Sequence, residues 1–152
     1  MRAIKILVMG LPGSGKTFLS ERLSKEIKSK WVNADIVRKE ANDWDFSLEG
    51  RIRQAKRIKK ISDKFIKKGN NCLTDFVCPT KKTRKEFNAD YVIWMDTIDE
   101  GRFDDTNKLF EKPTDKEVNY IVKEKNADKY KIIIAEKIKE FINNYNKQKK
   151  QQ

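Results

Sequence analysis

Eight residues near the N-terminus, Gly10-Leu11-Pro12-Gly13-Ser14-Gly15-Lys16-Thr17, match the spacing G-x-x-x-x-G-K-[ST] at every fixed position. The spacing has a mechanical meaning. Glycines permit backbone conformations that turn successive N–H groups toward one point, making a concave anion site. A helix starting immediately afterwards adds the positive end of its dipole. A lysine there reaches the β- and γ-phosphates of a nucleoside triphosphate, and the Thr17 hydroxyl is the expected protein ligand of Mg²⁺. The context fits the motif. Ala3–Met9 is a short apolar run that ends at the loop, and Leu19, Leu23 and Ile27 recur every four residues beyond it. Strand, glycine loop and amphipathic helix in that order are the setting in which the motif binds phosphate.

Further strands are expected at Trp31–Asn33, Cys72–Val77, Tyr91–Met95 and Val118–Val122. A long helix is expected over Leu48–Lys68, with Ile52, Ala55, Ile58, Ile61 and Phe65 as its buried stripe. A shorter helix is expected over Pro79–Phe87, and a last one carries Tyr130, Ile134, Ile138, Phe141, Ile142 and Tyr145. Asp99–Pro113 is charged and without periodicity, and reads as a mobile loop. Strands alternating with helices imply an α/β fold: the three-layer α/β/α sandwich of P-loop NTPases, with a five-stranded parallel sheet. A single domain is expected over residues 1–146, followed by a polar, basic tail at Lys147–Gln152. Ligands of such sheets bind beyond the carboxyl ends of the strands, where Gly10, Asn33, Asp75 and Asp96 all fall.

Composition removes several chemistries. The chain of 152 residues contains no histidine and two cysteines, Cys72 and Cys78. A Cys/His zinc site is excluded, a disulfide framework is implausible, and any general base must be a carboxylate or another group. The apolar N-terminal run is far shorter than the roughly 20 residues of a membrane span, so a cytoplasmic protein is expected. A net charge of +12 favours anionic partners. The guanine signature Asn-Lys-x-Asp is missing, which points to adenine as the base and ATP as the nucleotide. The lysine- and arginine-rich faces of the long helix could touch nucleic acid, but no aromatics interleave with them, and a solvated face is the simpler reading.

A second constellation follows the second strand: Asn33-Ala34-Asp35-Ile36-Val37-Arg38. Asp35 would stand near the γ-phosphate, able to accept a proton from an acceptor hydroxyl, with Arg38 one helical turn on and able to grip an acceptor anion. The alternative is a helix N-cap by Asp35 beside a solvated Arg38. From the phosphate loop to about Pro113 the chain resembles the adenylyl-sulfate kinases, which phosphorylate the 3′-hydroxyl of adenosine 5′-phosphosulfate (APS). Where that family reads D-G-D-x-[IV]-R, this chain has Asn33 to Arg38. The family's phenylalanine-serine segment and arginine-rich helix correspond to Phe46-Ser47 and Arg51 to Arg57. Its S-F-I-S-P strand end corresponds to Asp75-Phe76-Val77-Cys78-Pro79, and its G-F-T-G-x-D-D-P-Y-E-P-P segment, loosely, to Gly101–Asp105 and Phe110–Pro113.

The resemblance implies roles. Asp35 becomes the catalytic carboxylate, assisted by Lys16, and Arg38 and Arg51 the binders of the phosphosulfate. Phe46 and Phe103 would sandwich the acceptor's adenine, although either could instead be a core aromatic. Gln54 replaces a family asparagine that helps hold the acceptor, and Val77 and Cys78 line the same site. Three departures stand out. The first aspartate of D-G-D is Asn33, the serine before proline is Cys78, and the basic lid after the fourth strand is reduced to Asp96-Thr97-Ile98-Asp99-Glu100. Arg102, Lys108, Lys81, Lys82 and Arg84 are candidates to replace the lid's charge. The implied function is an ATP- and Mg²⁺-dependent kinase making PAPS from APS. The alternatives are a polynucleotide or nucleoside 5′-kinase and a catalytically weak ATP-binding module. Self-association as a homodimer is left open.

Overall fold

A computed structural model of the chain describes residues 2–150. Five strands form one parallel sheet: β1 (Lys5–Met9), β2 (Lys30–Asn33), β3 (Cys72–Asp75), β4 (Tyr91–Met95) and β5 (Tyr120–Val122). Their order is β2-β3-β1-β4-β5. The helices are α1 (Lys16–Glu26), α2 (Ala34–Ala41), α3 (Leu48–Lys67), α4 (Lys81–Phe87), α5 (Asp104–Leu109) and α6 (Ala127–Lys150). The expected α/β/α sandwich with a five-stranded parallel sheet is therefore present.

β1 shows why the sheet needs cover on both sides. Its successive side chains alternate between two cores, as a strand's period of two requires. Ile6 and Val8 join Leu19 and Leu23 of α1 and Ile134 and Ile138 of α6. Leu7 and Met9 join Val37 of α2, Ile58 of α3 and Phe87 of α4. All five residues of β1 are buried. The connection leaving β1 runs over one face toward β2, and the connection leaving its neighbour β3 runs over the other face toward β4, so the two diverge between β1 and β3. Ligand crevices form at such switch points.

Three expectations change. First, α3 buries Gly50, Gln54, Ile58 and Ser62, whereas Ile52 is exposed. Ala55, Ile61 and Phe65 of the expected stripe pack half-buried beside Ile58, but the fully buried row, spaced by four, is mostly not apolar. Ser62 satisfies its hydroxyl on Ile58 O and Thr74 Oγ1. Gly50 lets the Asp45 carbonyl approach so closely that a Cβ would clash with it. Second, residues 99–113 hold a short helix, α5, and are pinned. The buried Arg84 donates to Cys78 O (3.0 Å) and Glu111 O (2.8 Å), and Asn107 closes two bonds on Gly101. Third, the last helix runs on through Lys150, beyond residue 146; Gln151 and Gln152 lie outside the described residues.

Candidate active site

The segment between β1 and α1 wraps around the carboxyl end of the sheet. Gly10 is obligatory: its φ is +153°, and a Cβ would lie 2.8 Å from Ser14 Oγ and 2.9 Å from Met95 O. Gly15 caps α1 in the left-handed region at φ +98°, and the helix begins at Lys16. Leu11 and Ser14 are buried, Pro12 half-buried and Gly13 exposed. Thr97 reaches across from the end of β4 and donates to Ser14 O at 2.7 Å, fixing the loop from its far side. The Lys16 ammonium donates to Leu11 O at 2.9 Å, so the side chain is folded over the loop it serves. Burial lowers its pKa to about 8 against the opposing pull of Asp75 and Asp35.

Beneath Lys16 lies a polar triad. Asn33 ends β2 and pairs in register with Asp75 at the end of β3. Its Nδ2 donates to the Asp75 carboxylate at 3.0 Å and lies 3.4 Å from Thr17 Oγ1. Asp75 is 2% exposed, and burial pushes its pKa up to about 6 despite the nearby Lys16. The sequence places both Asn33 and Asp75 on the ligand-binding rim but assigns Asp75 no role and does not announce the contact between them. The signal was an acid closing a four-residue strand beside β1.

An acid whose pKa is higher in the folded protein weakens the fold above its unfolded pKa and costs nothing below it. Asp75→Asn is therefore expected to raise unfolding stability at pH 7 by about 1–3 kcal/mol, a gain that disappears between about pH 6 and pH 4. Urea unfolding at the two pH values checks this.

The acceptor side begins with α2. Asn33, not Asp35, is its N-cap, because Asn33 Oδ1 accepts from Ile36 N at 3.1 Å. Asp35 in the first turn is exposed at the rim, close enough to bear on the charges of both Lys16 and Arg38. Arg38 is 6% exposed rather than solvated. It donates to the carbonyls of Asp43 (2.9 Å) and Asp45 (3.2 Å), and its guanidinium lies over the Phe46 ring at 4.3 Å. Arg51 donates to Phe46 O at 2.9 Å and to Thr106 Oγ1 at 3.0 Å. It thereby joins Phe46 to α5, the helix capped by Phe103. Phe46 and Phe103 are exposed by 55% and 53%, so neither is a core aromatic. Arg53 and Arg57 clamp Asp43, whose carboxyl they hold far below its ordinary range.

The other expected residues sit differently. Gln54 is buried, with its amide spent on Ala34 O (2.9 Å) and on Arg57 (2.7 Å), so it ties α3 to α2 and Arg57. Val77 is half-buried. Cys78 is fully buried at φ +47°, and burial pushes its thiol far up in pKa, which removes it as a nucleophile. Of the candidates for lid charge, Arg84 is buried and structural, while Lys81, Lys82, Arg102 and Lys108 are exposed. Asp96 is paired with Lys123.

On the opposite side of the phosphate loop a cavity of about 380 Å³ opens beside Gly15. Phe18, Leu19 and Arg22 of α1 form one wall, Met95 and Val122 the floor, and residues 124–128 the other wall. Among the described residues no three His, Cys, Asp or Glu side chains cluster as a metal cage, and no helix is long and apolar enough to cross a membrane.

The chain is similar to known proteins in sequence and in fold. Over 92 residues the chain is 29% identical to a probable adenylyl-sulfate kinase of Aeropyrum pernix, a stretch covering 55% of this chain and 49% of that relative. Over 76 residues it is 29% identical to an adenylate kinase isoenzyme 6 homolog of Drosophila melanogaster, covering 48% and 43%. Both matches thus span less than half the length of those relatives. The Mycobacterium tuberculosis APS kinase CysC, solved in complex with AMPPNP and APS, has the same fold, with a TM-score of 0.72 at 15% identity over 91% of this chain and 98% of that one. The family model for adenylylsulphate kinase matches residues 2–120, which takes in the phosphate loop, the Asn33–Asp75 pair and the Arg38–Phe46–Arg51 cluster, and the chain belongs to that family.

Proposed function

We propose that this protein transfers the γ-phosphoryl group of ATP to the 3′-hydroxyl of adenosine 5′-phosphosulfate. The observation that carries the reading is the position of Asp35. It stands at the sheet rim between the phosphate-loop lysine and a cluster in which two arginines surround an exposed phenylalanine. That cluster suits an adenine nucleotide with an anionic 5′ end: the ring offers a stacking face and the guanidiniums offer charge.

In this reading the amides of residues 10–17 and the Lys16 ammonium hold the triphosphate, and Asp35 orients the acceptor hydroxyl and takes its proton. Arg38 shapes the 43–46 loop through its two carbonyl bonds and presents the Phe46 ring. The donor set fits Mg²⁺, which prefers hard oxygen ligands and keeps most of its coordination for water and phosphate. The exposed Thr17 hydroxyl and the carboxylate of Asp75, turned toward it through Asn33, are the residues that would hold it. Bound there, the ion would neutralise charge on the β- and γ-phosphates.

The match to an adenylate kinase homolog favours a second reading, in which the acceptor is a nucleoside monophosphate. One experiment separates the readings. γ-Labelled ATP is offered with APS, with AMP and with a 5′-hydroxyl oligonucleotide, and the products are resolved. Label in 3′-phosphorylated APS is expected; label in ADP formed from AMP supports the second reading. Label in the oligonucleotide, falling steeply with salt, indicates a nucleic-acid acceptor. Absence of label from APS rejects the proposal.

A further inference from the structure

One wall of the cavity beside Gly15 carries an unusual residue. Phe18 is the most exposed large hydrophobic side chain among the described residues, at 66%. It is on the first turn of α1, two positions after the phosphate-loop lysine. An aromatic ring held in water at that place, with no part in either core, has no packing role.

The ring is nevertheless held in position. Arg22 donates to Phe18 O at 3.0 Å and to Asp128 at 3.1 Å, and its guanidinium lies over the Phe18 ring at 5.7 Å. The same arginine bridges α1 to the start of α6, so the two walls of the cavity are tied together. From the opposite wall the stem of Lys125 leans over Gly15, its Cγ 3.8 Å from where a Cβ would be. The segment bearing Lys125 is braced in turn. Glu124 accepts from Lys129 at 2.9 Å and from Tyr130 at 3.1 Å, and Asn126 accepts from Lys129 N at 3.2 Å. A volume of about 380 Å³ falls in the range of about 300–1,000 Å³ typical of small-molecule sites.

We propose that Phe18 and Lys125 form the walls of a slot for the purine base of the bound nucleoside triphosphate, with Phe18 as the stacking platform that compensates for the short lid. A nucleotide whose phosphates lie on residues 10–17 has its sugar and base leaving past Gly15, into this cavity. A planar base there meets an aromatic face on one side and an aliphatic stem on the other, with Met95 and Val122 beneath. Its ammonium leaves Lys125 able to approach the phosphates as well, a contribution of charge from the β5–α6 connection rather than from the segment after β4. The inference rests on the phosphate-loop reading above, and its test separates the two.

The test compares ATP with inorganic tripolyphosphate, which has the phosphates and no base, by calorimetry on the wild-type protein and on Phe18→Ala and Phe18→Tyr. Wild type is expected to bind ATP well above tripolyphosphate. Phe18→Ala is expected to weaken ATP by about tenfold or more, the loss of one base–aromatic stack, and to leave tripolyphosphate within about twofold. Phe18→Tyr is expected to restore ATP binding. Unchanged tripolyphosphate binding also shows that the alanine variant is folded. If Phe18→Ala binds ATP as wild type does, or if wild type binds both ligands equally, the slot is overturned while the phosphate site stands. If neither ligand binds wild type, the phosphate site fails, and the slot with it.

Discussion

Lys16→Ala is expected to erase the thermal stabilisation that Mg·ATP gives the wild-type protein, and to reduce phosphoryl transfer to background. At a ligand concentration about 100 times Kd, binding stabilises the folded state by about 2.7 kcal/mol, which for a chain of this length raises Tm by roughly 5–10 °C. The variant should show no such rise. Its own Tm without nucleotide separates this result from simple unfolding. A lysine whose folded pKa is lowered, here to about 8, weakens the fold below that pH, and the penalty fades as pH climbs toward the unfolded value. Removing the ammonium should therefore leave the nucleotide-free protein at least as stable as wild type near neutrality, even with the bond to Leu11 O gone. Differential scanning fluorimetry with and without Mg·ATP reads both quantities in one experiment. A variant that keeps the ATP-dependent rise would contradict the placement of the triphosphate.

Asp35→Asn is expected to separate binding from chemistry. The side chain is exposed and does not cap α2, a task performed by Asn33, so the substitution leaves the helix intact. It removes only the proton acceptor. General-base catalysis of this kind is worth about 10²–10⁴ in rate, and kcat should fall by that factor while the Kd for ATP stays within a few-fold. Steady-state kinetics paired with ATP calorimetry measures the two together. An unchanged kcat would mean that Asp35 only borders the site, and attention would move to the buried Asp75.

The parts of the fold that could be read from sequence are those where local chemistry and burial agree. β1 is apolar from Ile6 to Met9 because both faces of the central strand are covered, and the glycine spacing after it admits few other conformations. β4 spans Tyr91–Met95 as expected, for the same reason. α5 was not legible: only Thr106 of its six residues is buried, so no apolar stripe marks it. The apolar stripe of α3 was legible except at Ile52, since Ala55, Ile58, Ile61 and Phe65 all face the core, but the polar residues buried beside it were not, because their burial follows hydrogen bonding rather than hydrophobicity. Gln54 and Ser62 are inside with their polar atoms satisfied, and Ile52 is outside.

The site divides in a similar way. The phosphate loop is contiguous in sequence and could be read residue by residue. The Arg38–Phe46–Arg51 cluster draws on α2, its following loop and α3; Arg38 is legible from its spacing to Asp35, whereas Phe46 and Arg51 became visible in sequence only through resemblance to a family. The Asn33–Asp75 pair depends on two strands, β2 and β3, meeting in register, with 42 residues separating the partners. No local pattern announces such a contact. The Phe18 ring was hidden for the opposite reason: in an amphipathic helix one exposed aromatic looks like noise until the cavity beside it is seen.

Phosphorus NMR of the wild-type protein mixed with Mg²⁺, ATP and adenosine 5′-phosphosulfate follows the γ-phosphoryl group itself. A new 3′-phosphomonoester resonance growing in step with ADP is the predicted result. A γ-phosphate signal that persists unchanged, or that appears only as inorganic phosphate, would contradict the assignment of this protein as a kinase acting on that acceptor.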